Sequence, residues 1–174
     1  MGVAQISLVA VSSVLAAITS LFVVGEPNAE RDLKFIESIS FNTSLKEFDR
    51  SRFMWRRQQP WFDWTTDSCS VPIIGNDGRS FNFASACRRH DFGYRNLKLL
   101  DRRYNCASLT TGSICSNNSW SYGQFWNAEQ RSRIDEQFQL DMFSLCTSRA
   151  RTRRVRCEAW AITFFQSVRT IGGP

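Results

Sequence analysis

His90 is the one histidine in this 174-residue chain. Chemistry near neutral pH that needs an imidazole base must therefore use it. Asp91 follows directly, and a cysteine, Cys87, lies one helical turn earlier. Phe83, Cys87, His90, Asp91 and Tyr94 fall at i, i+4, i+7, i+8 and i+11, one stripe of a helix expected over residues 83–97. That stripe carries a thiol, an imidazole, a carboxylate and a phenol, where an ordinary buried face would carry Leu and Val. An isolated His-Asp pair is more often structural than catalytic. Whether this one does chemistry depends on what else converges on it.

Two other pieces are candidates to converge. One is Thr66-Asp67-Ser68-Cys69, at the start of a loop expected over residues 65–80 with the turn signal Asn76-Asp77-Gly78. The other is Asp135, on the strongest helical pattern of the chain, residues 128–146. The six cysteines permit fifteen pairings, among which sequence does not choose. Pairing nearest neighbours gives Cys69–Cys87, Cys106–Cys115 and Cys146–Cys157. The first would fasten the Asp67 loop one turn before His90, so that Asp67 and Asp91 face one cation. Two carboxylates with loop carbonyls form a hard-oxygen site suited to Ca²⁺. Zinc, which prefers His and Cys, does not suit oxidised cysteines. Asp135 has two readings. It orients the imidazole by accepting one ring N–H, leaving the other nitrogen as base, or it sits on a solvated face paired with Arg131 or Arg133. Spacing alone favours the second.

The elements that must position these groups read as helices. Residues 26–31 look like a frayed terminus, and Leu33, Ile36 and Ile39 mark a short helix. Ser44-Leu45-Lys46-Glu47 has the form of a capping box and opens a helix through about Arg56, with Leu45, Phe48 and Met54 or Trp55 available for the core. Trp61-Phe62-Asp63-Trp64 is a packing cluster. Residues 99–123 form a long excursion tied off by Cys106 and Cys115. Residues 149–156 are a basic loop with five arginines, and a last helix spans 158–168. Hardly any strand pattern is present. The fold class is all-α, a small disulfide-stapled helical domain with two central helices carrying the site.

Residues 1–25 contain no Asp, Glu, Lys or Arg. They read as a secretory signal ending at Gly25 rather than as an anchor, leaving residues 26–174 as one domain. Secretion makes disulfides the expected state of the cysteines. The sequons at Asn42 and Asn117 accord with that route. A net charge of +6 favours anionic partners.

Asp67-x-Cys69, then Cys87-x-x-His90-Asp91-Phe92-Gly93-Tyr94-Arg95-Asn96, then Ser132-Arg133-Ile134-Asp135, resembles the secreted phospholipase A2 family of bacteria and fungi. The likeness runs from about residue 33 to 170. It implies that His90 is a general base taking a proton from the water that attacks the sn-2 ester of a glycerophospholipid, and that Asp135 orients it. It implies Asp67 and Asp91 as calcium ligands, with Ser68 contributing its backbone carbonyl. It implies Cys69–Cys87 and Cys146–Cys157 as disulfides. The Cys106–Cys115 excursion is an addition to the pattern. The resemblance further implies a secreted, extracellular monomer acting peripherally on phospholipid aggregates or a membrane surface, with no nucleic-acid partner. The 149–156 loop is a candidate lipid contact or a solvated loop kept soluble by its charge, and Trp55, Trp61, Trp120 and Trp126 either insert at a lipid interface or simply pack. A histidine base acts in its neutral form, so activity is expected to fall below about pH 6. A non-catalytic membrane-binding effector on the same scaffold is the alternative. A ribonuclease lacks the paired acid–base motif it would need.

Overall fold

The computed structural model describes residues 28–67, 81–105 and 123–171. The expected signal over 1–25, Ser68 and Cys69, and the Cys106–Cys115 excursion lie outside the described residues. Five α-helices make up the described fold: α1 (Ala29–Glu37), α2 (Leu45–Gln58), α3 (Ala84–Leu100), α4 (Ala128–Cys146) and α5 (Arg151–Ile171). Short π-helical turns, Ser38–Asn42 and Asp101–Asn105, follow α1 and α3.

Local chemistry sets most of the starts. Asn28 caps α1 by accepting the Arg31 N–H at 2.9 Å, so residues 29–31, expected to fray, form its first turn. Ser44 caps α2 through the Glu47 N–H at 3.2 Å, as its capping box requires. Asn127 caps α4 through the Gln130 N–H at 3.0 Å. The basic loop expected over 149–156 is instead largely the opening of α5, which begins at Arg151. No Gly or Pro interrupts residues 147–171, and arginine is a good helix former, so a cluster of arginines does not signal a loop there.

Helix α4 lies between α3 and α5 and packs on both. The Cys146–Cys157 disulfide joins α4 to α5 with both cysteines fully buried. Glycine permits the α3–α4 approach: a Cβ on Gly93 would stand 2.9 Å from Ile134 Cδ1. That contact lies one residue before Asp135 and three after His90, so the two helices meet closely at the height of the candidate site.

An aromatic cluster centred on Phe92 fills the other side of α3. Trp64 lies 4.5 Å from it between ring centroids, Phe62 6.3 Å and Phe35 6.5 Å. Trp126 is 1% exposed and belongs to the core, which removes it from the candidate lipid contacts. Trp55 and Trp61 are half-buried. Met54, considered for the core, points outward at 48% exposed. Among the described residues no helix is long and apolar enough to cross a membrane.

Candidate active site

The lone imidazole and Asp135 face each other across the α3–α4 contact. His90 Nε2 lies 2.8 Å from Asp135 Oδ1, with the histidine side chain 11% exposed and the aspartate fully buried. The solvated helix face that spacing favoured for Asp135 is therefore corrected. Helical period fixes which residues share a face, and only packing decides which face is covered. An ionised carboxylate can only accept, so the shared proton sits on Nε2. Nδ1 has no hydrogen bond among the described residues and is left with its lone pair.

A second donor meets the same oxygen: the Tyr94 hydroxyl donates to Asp135 Oδ1 at 2.7 Å. Burial, then the Asp135 charge, push the Tyr94 phenol well above its ordinary pKa, so it remains a donor. The other carboxylate oxygen, Oδ2, lies 3.9 Å from Arg131 Nε. Two aromatic rings pack against the imidazole, with the Tyr94 and Phe138 centroids at 4.4 and 4.7 Å. The orienting role of Tyr94 was not read from sequence. Its position one turn after His90 was the available signal.

Beside His90 lies a small cleft with Phe41, Ile134 and Phe138 on its apolar side. Its polar side is a buried ion pair absent from the sequence reading. Arg89 Nε donates to Asp141 Oδ2 at 2.7 Å, and the guanidinium also reaches Asp141 Oδ1 and the Thr43 carbonyl. Burial raises the Asp141 carboxyl, and the hydrogen bonds and charge of Arg89 oppose that rise.

The Asp67 segment reaches Asp91, as the candidate cation site requires. The Thr66 hydroxyl and the Asp67 backbone N–H, the latter at 3.2 Å, both donate to Asp91 Oδ2. Burial raises the Asp91 carboxyl above its ordinary value; the Thr66 hydrogen bond opposes this and the Asp67 charge adds to it. Asp67 is mostly exposed and lies 3.7 Å from Arg95 Nη2. The segment is held by Asn96, fully buried on α3. Its side-chain oxygen accepts the Asp63 N–H at 2.8 Å, and its amide donates to the Asp63 and Phe92 carbonyls, each at 2.8 Å. Asn96 stood in the motif with no role assigned from sequence.

Among the described residues no group of three or more His, Cys, Asp or Glu is gathered. The donor set at Asp67 and Asp91 is nonetheless of the right kind for a hard cation: two carboxylates close enough for one to disfavour ionisation of the other. Cys87 is disulfide-bonded, with its partner outside the described residues. Cys146–Cys157 is the expected pair.

Comparison with known proteins accords with this geometry. The sequence model described as "Prokaryotic phospholipase A2" matches residues 36–109 and 114–172. The chain belongs to the prokaryotic phospholipase A2 family and is an enzyme of the phospholipase A2 class. Among curated relatives, a "Secretory phospholipase A2" of Arthroderma benhamiae is 24% identical over 139 residues, covering 78% of this chain and 76% of that protein. A "Secretory phospholipase A2" of Beauveria bassiana is 29% identical over 160 residues, covering 91% of this chain and 66% of that protein.

Proposed function

We propose that residues 26–174 form a secreted, calcium-dependent phospholipase A2 that hydrolyses the sn-2 ester of glycerophospholipids, working as a monomer on lipid aggregates. The hydrogen bond between His90 Nε2 and the buried Asp135 carboxylate carries the reading, because it leaves Nδ1 as the basic nitrogen. Nδ1 takes a proton from a water as the water oxygen bonds to the sn-2 carbonyl carbon. Asp135 stabilises the imidazolium that forms, and Tyr94 keeps the carboxylate turned toward the ring. The imidazolium then returns the proton to the glycerol oxygen as the ester C–O bond breaks, giving a fatty acid and a lysophospholipid. Asp67 and Asp91, with the Ser68 carbonyl, would hold Ca²⁺. Its chemistry there is Lewis-acid stabilisation of charge on the carbonyl and phosphate oxygens.

The test is release of a labelled sn-2 acyl chain from phospholipid, with and without EDTA, for the wild type and His90→Gln. Release that stops in EDTA, returns with Ca²⁺ and is lost in a folded H90Q supports the assignment. Release from the sn-1 position, or full activity in chelator, refutes it. A wild type that binds lipid without any turnover would favour the non-catalytic effector.

A further inference from the structure

Helix α2 is amphipathic in an unusual sense. Leu45 and Phe48 face the core, and Trp55 follows them on that side, half-buried. The opposite stripe is Lys46, Arg50, Phe53 and Arg57, at i, i+4, i+7 and i+11, with Met54 at its edge. All five are exposed, Phe53 at 68% and Met54 at 48%. A solvated helix face ordinarily excludes phenylalanine from its crest. Here the Arg57 guanidinium lies 5.3 Å from the Phe53 ring centroid, so the apolar group is flanked by cations. Of the two carboxylates of α2, Asp49 lies one turn before Phe53 and is paired with Arg88 at 2.6 Å, and Glu47 lies one turn before Arg50.

We propose that this outer face of α2 is the surface by which the enzyme settles on anionic lipid. The inference deepens the phospholipase reading and rests on it for its biological sense. Phe53 and Met54 would enter the boundary between headgroups and acyl chains, and Lys46, Arg50 and Arg57 would pair with lipid phosphates around them. Charge chooses the occupant, since a ring of cations disfavours both a second, equally basic copy of this chain and a neutral bilayer. Helix α5 carries the competing stripe, Arg151, Val155, Glu158 and Ile162, with Val155 63% exposed. There a carboxylate stands between the apolar residues, and Glu158 already pairs with Arg154 at 2.7 Å.

The experiment is partition of the full chain onto vesicles of phosphatidylglycerol or phosphatidylcholine, read by sedimentation in EDTA so that no lipid is turned over. Alanine at Phe53 and Met54 keeps the helix former and removes the apolar crest. F53A/M54A is expected to lower partition onto phosphatidylglycerol by about tenfold or more. R50Q/R57Q is expected to lower it by about tenfold and to remove the preference for the anionic vesicle. V155A/I162A is expected to leave partition within about twofold. Unchanged partition of F53A/M54A, or an equal loss in V155A/I162A, overturns the proposal. So does a concentration-dependent dimer that F53A/M54A dissolves. A short-chain phosphatidylcholine kept below its critical micelle concentration separates this surface from the active site. Its hydrolysis should be unaltered in F53A/M54A, and failure of the wild type to hydrolyse it counts against the catalytic reading alone.

Discussion

Replacing Asp135 by Asn tests the core of the mechanism, because the surroundings of that carboxylate dictate how the amide must sit. Two donors, the His90 Nε2–H and the Tyr94 hydroxyl, converge on Oδ1 at 2.8 and 2.7 Å. An amide nitrogen placed there would oppose both, so the amide oxygen stays and the NH₂ turns to the Arg131 side. The ring therefore keeps its tautomer, and what disappears is the negative charge facing the imidazolium. At an effective dielectric near 20, unit charges about 4 Å apart attract by about 4 kcal/mol. The amide dipole and residual water recover part of that. A net loss of about 2–3 kcal/mol in the transition state corresponds to roughly a 30- to 150-fold fall in kcat. This is far short of the roughly 10⁴-fold loss found where an Asp→Asn change in a serine-protease triad imposes the wrong tautomer. Tyr94→Phe alone removes one hydrogen bond, worth about 1 kcal/mol or a factor of about five. In the double variant the amide loses the hydroxyl that holds its oxygen toward the ring, so the neutral imidazole can pair with either amide atom, and the loss should exceed the product of the single losses. The assay is kcat on a soluble short-chain phospholipid with saturating Ca²⁺, with near-ultraviolet circular dichroism to confirm packing. A D135N loss under about fivefold would mean that the carboxylate does not act through the ring. Multiplicative losses in the double variant would mean that Tyr94 does not hold the group.

Three further outcomes follow from the same packing. Asn96→Leu leaves the Asp63 N–H and the Asp63 and Phe92 carbonyls without their side-chain partner; it should cost about 2–4 kcal/mol in urea unfolding and weaken Ca²⁺ binding, because the Thr66–Asp67 segment is tethered there. Asp91→Asn removes a half-buried carboxyl that desolvation and Asp67 disfavour as an anion; thermal unfolding should find it at least as stable as the wild type in EDTA, while Ca²⁺ raises the melting temperature of the wild type alone. Lys98 packs over the Trp126 ring at 4.8 Å, and burial, with Arg131, Arg102 and Arg95 nearby, lowers its pKa to about 8. Because the unfolded chain then binds more protons between about pH 8 and pH 10.4, this group opposes folding fully below about pH 8 and ceases to do so as the pH rises toward 10.4. Urea midpoints should therefore place Lys98→Met above the wild type at pH 7, with the gap narrowing by pH 9.5.

Legibility in the sequence tracked the range of the interaction. The α4 limits, the Ser44 cap and the packing role of Phe62 and Trp64 follow from neighbours a few residues away, and they were readable. The basic stretch 149–156, expected as a loop, is helical from Arg151, because its arginines favour helix and no Gly or Pro breaks it. Of the two readings open for Trp126 packing holds, and of Met54 or Trp55 it is Trp55 that packs on the core; hydrophobicity states that a residue gains by burial and not whether a neighbour arrives to bury it.

The chain by itself determined which chemistry was available: one imidazole in a long motif, carboxylates at 67, 91 and 135, and helices to carry them. Residue identity and helical period are local properties, written in full along the backbone. Tertiary packing decided that Asp135 turns inward to His90 rather than outward to solvent. Gly93 lets Ile134 approach, Tyr94 adds a second donor to the same oxygen, and Asn96 ties the Asp67 segment to α3. Each of those outcomes depends on a contact between residues distant in sequence, and close approach of two helices depends on the volume of every side chain between them.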